Sequence, residues 1–134
     1  MGCSYAAAVG APLIVLGFGR SGSTWVADVV GRLAGGVMLN EPLNPGMGLA
    51  RTAMVKGRVS PEALAELDAA LAGRRRAPWL LRSEFAPLAR ADHNALDRWW
   101  DRAVIVGFKE TMHAAFAVDE LVERYGRRVA YIER

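Results

Sequence analysis

The chain is 134 residues long, 52% hydrophobic and 23% charged, which bounds it to one domain with ample material for a core. Its formal net charge of +3 suits an anionic small ligand and is too small and too scattered for a nucleic-acid surface. A single cysteine, Cys3, excludes an intrachain disulfide, fits a reducing, cytoplasmic compartment and, with only His93 and His113 beside it, leaves no metal-ligand spacing.

Residues 1–11 are expected to be a flexible N-terminus. Residues 6–18 are mostly apolar, but no Lys or Arg stands before them and they lead into a glycine-rich loop rather than a small-residue cleavage site, so they do not read as a signal peptide. Ala6 replaces the Ser or Thr of a myristoylation pattern. The uncharged run at 13–18 predicts a buried strand. A helix is expected from Gly22 or Ser23 to Leu33, with Trp25, Val26, Val29, Val30 and Leu33 on one face, stopped by Gly35-Gly36. Trp25, with Trp99 and Trp100, reads as core. Residues 37–39 form a second short strand ending in Asn40-Glu41-Pro42. Residues 42–59 hold Pro42, Pro45, Gly46, Gly48 and Gly57 and predict a loop, or a broken helix, over a substrate region.

Ser60-Pro61-Glu62 opens a helix that continues to about Ala72, with Ser as N-cap and Pro at the first helical position. Arg74-Arg75-Arg76 follow it as a solvated helix end. Residues 78–90 are ambiguous. Residues 92–102 predict a helix, 103–108 a third strand carrying Lys109-Glu110 at its end, 114–125 a helix closed by Gly126, and 128–133 a fourth strand running into Arg134. No run reaches the roughly 18 apolar residues of a membrane span.

This order predicts an α/β fold, a mainly parallel sheet with helices on both faces in three α/β/α layers. Ligands bind such sheets at the carboxyl ends of the strands. The glycine-rich turn at 17–24, Glu41, Lys109-Glu110 and Arg134 all fall there.

The turn, in the run LIVLGFGRSGSTW, admits three owners. Gly17-x-Gly19-x-x-Gly22 matches the dinucleotide fingerprint, with Glu41 in place of the ribose acid. That fold holds pyrophosphate mostly by backbone and gives no reason for Arg20, Ser21, Ser23 and Thr24 to crowd the turn. Gly17-x-x-x-x-Gly22-Ser23-Thr24 has the spacing of a nucleoside-triphosphate P-loop, but Ser23 stands where the phosphate-neutralising lysine belongs. The third owner keeps the phosphate loop and moves the cation to Arg20, inside the turn. That suits a donor less negative than ATP and needing no metal, such as a sulfuryl group on a 5′-phosphate.

GRSGSTW resembles the 5′-phosphosulfate loop of sulfotransferases that use 3′-phosphoadenosine 5′-phosphosulfate (PAPS), and the carbohydrate sulfotransferase branch most closely. Glu41-Pro42 after the second strand, Lys109-Glu110 ending a later strand, and a last strand running into Arg134 match that branch in order. The resemblance implies a P-loop NTPase-like sulfotransferase fold. It implies PAPS as donor with no metal, and a carbohydrate or small-molecule hydroxyl or amine as acceptor. It also implies roles. Gly19, Arg20, Ser21, Gly22, Ser23, Thr24 and Trp25 span the donor loop, with Arg20 stabilising the bridging oxygen. Arg134 meets the 3′-phosphate, and Lys109 contacts the sulfuryl group. Glu41 is the first general-base candidate, Glu110 the second and His113 the third. Members of the family are longer than this chain, so it is expected to be an N-terminal portion, incomplete at its C-terminus. A kinase-like protein, an NAD(P)-binding protein and an inactive nucleotide-binding fragment are the alternatives.

Overall fold

The structure, a computed structural model, describes residues 11–17, 22–44, 54–55, 57–77, 80, 93–111 and 117–132. The chain begins with strand β1 (Leu13–Gly17), helix α1 (Ser23–Leu33) and strand β2 (Val37–Asn40). A two-strand hairpin, β3 (Met54–Val55) and β4 (Arg58–Val59), precedes helix α2 (Pro61–Leu71). Helix α3 (His93–Arg102), strand β5 (Ile105–Glu110), helix α4 (Val118–Tyr125) and strand β6 (Val129–Ile132) complete it.

The main sheet has the order β2-β5-β1-β6, and every neighbouring pair in it is parallel. Its two faces are covered separately. Ile14, Leu16, Leu39 and Phe108 meet Ala63, Leu67, Ala70 and Leu71 of α2, Trp100 of α3, and Leu121 and Tyr125 of α4 in one buried cluster. On the other face Val15 and Met38 meet Ala27 of α1, with Leu13, Val106 and Ile132 around them. The expected three layers are therefore present, with α1 the helix on the second side among the described residues. The α2 cap also forms as the residues predict: the Ser60 hydroxyl accepts from the Ala63 N–H at 3.1 Å, and Pro61 opens the helix.

Two expectations need correction. Part of the segment 42–59, read as a loop or broken helix, is the antiparallel β3–β4 hairpin, with Met54 opposite Val59 and Val55 opposite Arg58. Gly57, at φ 76°, supplies the left-handed residue that a tight hairpin turn requires, so it joins two strands rather than breaking a helix. The second correction concerns α1. Its buried residues are Ser23, Ala27 and Gly31, while Trp25 is 69% and Leu33 83% exposed. Trp25 is therefore not core. The helix lies too close to the sheet for large side chains: a Cβ on Gly31 would stand 2.9 Å from the Met38 Cγ and 3.3 Å from its backbone nitrogen. The stripe at i, i+4 and i+8 that faces the sheet is made of small residues. Trp100 is buried as expected; the side chain of Trp99 lies outside the described residues.

Among the described residues no helix is long and apolar enough to cross a membrane.

Candidate functional site

β1 and β5 are neighbours, but the chain leaves them toward opposite faces. After β1 it enters α1 on one side, and after β5 it reaches α4 on the other. Such a divergence opens a crevice beyond the carboxyl ends of the two strands. β2 flanks β5 on its far side, so the residue that follows β2 also reaches this end.

Strand alternation sorts the dipeptide that ends β5. Lys109 pairs in register with Val15, which belongs to the α1-side cluster, so the Lys109 side chain stands on the α1 face. Glu110 is in register with Leu16 and lies two residues beyond Phe108, both members of the opposite cluster. The two adjacent charged residues therefore serve different sides of the sheet.

On the α1 face, the Lys109 ammonium donates to Glu41 Oε1 at 2.8 Å, and the two side chains are only 6% and 14% exposed. The Glu41 backbone N–H donates to the Lys109 carbonyl at 2.8 Å, which continues the β2–β5 ladder by one step. Its second carboxylate oxygen accepts from Asn44 Nδ2 at 3.2 Å. Glu41 is the one non-glycine with positive φ among the described residues, at 49°, and it precedes a proline, which disfavours helical conformations. Residues 41–44 close a turn, with the Asn44 N–H donating to the Glu41 carbonyl at 3.1 Å. On the other face Glu110 is fully buried, and its Oε1 accepts from the Leu43 backbone N–H inside that same turn.

Helix α1 begins at the α1-side mouth of the crevice. Its N-cap is Gly22, at φ 88°, with no side-chain cap and no acidic residue in the first turn. A Cβ built on Gly22 meets nothing within 4 Å. Among the described residues no side chain caps the first-turn amides, and the positive end of a helix dipole is an environment that favours an anion. Ser23 is buried at the first helical position and Thr24 half-buried at the second, while the exposed Trp25 points away from the sheet.

The structure thus brings Glu41 and Lys109 into contact and ties Glu110 to the turn that carries Glu41. It sets Gly22, Ser23 and Thr24 at the mouth of the adjacent strand. Gly19, Arg20, Ser21, His113 and Arg134 lie outside the described residues. Asn44 and the Leu43 N–H were not foreseen. Pro42 at the second position of the turn was a usable signal for it, and Asn44 had none.

Compared with protein-family models, with curated proteins and with solved structures, the chain has no significant match.

Proposed function

We propose that the chain is a PAPS-dependent sulfotransferase of the P-loop type, closest to the carbohydrate branch, acting on a hydroxyl or amine of a carbohydrate or small molecule. One observation carries the reading: a buried carboxylate–ammonium pair, Glu41 with Lys109, at the end of β5, the neighbour of the strand β1 that precedes the Arg-Ser-Gly-Ser sequence. The loop composition supports an anion held there, and the pair supports a base and a cation for its reaction.

The donor brings a sulfuryl group whose bond to the 5′-phosphate oxygen breaks as the bond to the acceptor oxygen forms. The uncapped N-terminus of α1, with Gly22, Ser23 and Thr24, fits the 5′-phosphate. Arg20 stabilises charge on the oxygen that leaves, and Lys109 charge on the sulfuryl oxygens. Glu41 takes the proton of the attacking hydroxyl. Asn44 and Lys109 hold its carboxylate in one orientation, which is what positioning for in-line attack requires.

The sheet order weighs against the dinucleotide alternative. In that fold the second strand lies beside the first, so its terminal acid reaches a ribose held on the first turn. Here β5 lies between β1 and β2, and Glu41 grips β5 instead.

A ligand titration tests the reading. 3′,5′-adenosine bisphosphate should raise the unfolding midpoint without Mg²⁺, by about 2.7 kcal/mol of stability at 100 times its Kd. Stabilisation only by ATP with Mg²⁺ would instead indicate a kinase-like protein, and stabilisation by NAD(P) a dinucleotide-binding one. No response to any of them would overturn the proposal. In an active preparation, Glu41→Gln should lower the transfer rate far more than donor affinity.

A further inference from the structure

Glu110 is the second candidate for the general base, yet its surroundings suit another task. It is fully buried on the face of the sheet away from Lys109, among the residues that pack against α2, α3 and α4. Its Oε1 takes the N–H of Leu43. In a turn closed from residue 41 to residue 44, the N–H of the third residue has no partner inside the turn. Glu110 provides one from the neighbouring strand.

That turn carries a conformational cost. A non-glycine residue in the left-handed region persists only where its surroundings over-determine it. Glu41 is that residue, and the proline after it deepens the conflict. Ties that hold the turn to the end of β5 include the Glu41 N–H on the Lys109 carbonyl, the Lys109 ammonium on the Glu41 carboxylate, and the Leu43 N–H on Glu110. The first two involve Glu41 itself. The third is the tie at the far side of Pro42, and it fixes the direction in which the chain leaves Glu41. Leu43 and Pro42 are buried beneath it.

We propose that Glu110 is a positioning residue: its carboxylate latches the Leu43 N–H and so holds Glu41 in the backbone conformation that points its carboxylate at Lys109. The inference rests on Glu41 being the base. It assigns Glu110 no contact with either substrate, and it makes the Lys-Glu dipeptide a two-sided device, with Lys109 in the site and Glu110 in the scaffold behind it.

Two variants of the full chain separate this from a base role. Glu110→Gln keeps an oxygen that accepts the Leu43 N–H. It should leave kcat within about fivefold of the wild type, since only charge assistance is lost, with the acid limb of the pH–rate profile unmoved. Glu110→Asp keeps the charge but is one methylene too short to reach. Its kcat should fall on the order of 10²-fold, the cost of misplacing a reacting group by about an ångström, while the donor KM stays unchanged. A Glu110→Gln variant as inactive as Glu41→Gln, or one lacking the acid limb, would overturn the proposal, as would a Glu110→Asp variant with wild-type kcat.

A second readout needs no turnover. Lys56 and Lys109 are the two lysines of the chain, so the Lys109 ammonium can be assigned in ¹⁵N-labelled protein by its loss in Lys109→Met. Its hydrogen-bonded signal should persist in Glu110→Gln and vanish in Glu110→Asp. Persistence in both refutes the latch even if no sulfuryl transfer is ever detected. Loss in Glu110→Asp with no transfer in the wild type keeps the latch and refutes only the reaction. If Glu110→Asp does not fold, Glu110→Gln decides alone: a retained signal and rate support the latch, and a retained signal with the rate abolished refutes it.

Discussion

Replacing Lys109 by methionine tests whether the Glu41–Lys109 pair is a buried one in energetic terms. The substitution keeps the length of the side chain and removes its charge, leaving the Glu41 carboxylate at 14% exposure with the Asn44 amide as its remaining side-chain donor among the described residues. Removing one partner of a buried pair costs about 3–5 kcal/mol, because the other charge stays behind uncompensated. The Asn44 contact and the residual exposure place the expected loss at the lower end, about 3 kcal/mol. Unfolding entropy of about 2.1 cal/mol/K per residue gives about 0.28 kcal/mol/K for 134 residues, so the thermal midpoint should fall by about 11 °C. The double variant Glu41→Gln with Lys109→Met has no charge left to strand, and its amide oxygen still accepts from Asn44. It should therefore recover to within about 1 kcal/mol of the wild type, without recovering turnover. Urea and thermal unfolding of the four proteins at neutral pH close the double-mutant cycle. A loss below about 1 kcal/mol for Lys109→Met, the ceiling for exposed pairs, would refute the reasoning. So would a double variant that loses the sum of the two single losses.

Tyr125 is fully buried, and its phenol donates to Asp68 at 2.7 Å. Burial first, and the bond to Asp68 second, push its pKa up. Its contribution to stability is therefore complete below the unfolded value near 10 and is lost as pH rises above it. Tyr125→Phe should cost about 1–1.5 kcal/mol at neutral pH and flatten the alkaline decline in the urea midpoint. In α1, Gly31→Leu should cost about 2 kcal/mol or more, because its side chain would meet Met38. Trp25→Ala, at an exposed position, should cost less than about 1 kcal/mol; both are read from urea midpoints. Arg20→Ala should abolish sulfuryl transfer and leave the circular dichroism spectrum and unfolding midpoint in place; retained turnover would refute its assigned role.

The elements were legible wherever local chemistry dictates them. The uncharged run of β1, the Ser60-Pro61 start of α2 and the Gly126 stop of α4 all reappear. The order of strands was not legible, because it depends on which backbones can approach. Gly107 bears on this: a Cβ there would stand 1.9 Å from the Leu13 carbonyl oxygen, so its absence lets β5 lie against β1. A glycine inside the apolar run of β5 was the available clue. The buried face of α1 was misread for a related reason. Hydrophobic periodicity selects the large side chains, whereas a close helix-to-sheet contact selects small ones, Ser23, Ala27 and Gly31. At the site, the strand-end placement of Glu41 and Lys109 followed from the α/β order. Their contact joins residues 68 positions apart and depends on β2 lying beside β5 rather than beside β1.

If Glu41 is the base, as proposed, a carboxylate already engaged with a cation must still accept a proton. Its capacity allows this. A carboxylate has about four acceptor sites and an ammonium three donors. Among the described residues, the side chain of Glu41 uses one site for Lys109 and one for Asn44, and Lys109 uses one donor for Glu41. About two acceptor sites and two donors therefore remain. A substrate hydroxyl can meet the carboxylate, and anionic oxygens the ammonium, without the pair being broken. Lys109 is carried by β5 and Glu41 by the turn that follows its neighbour β2, so the backbones of the pair start from adjacent strands about 4.8 Å apart. That leaves the turn at 41–44 as the weakest part of the arrangement, since Glu41 is strained there and the sheet ladder ends at its N–H. A contact from the far face of the sheet is what such a turn needs, and Glu110 stands where it can supply one.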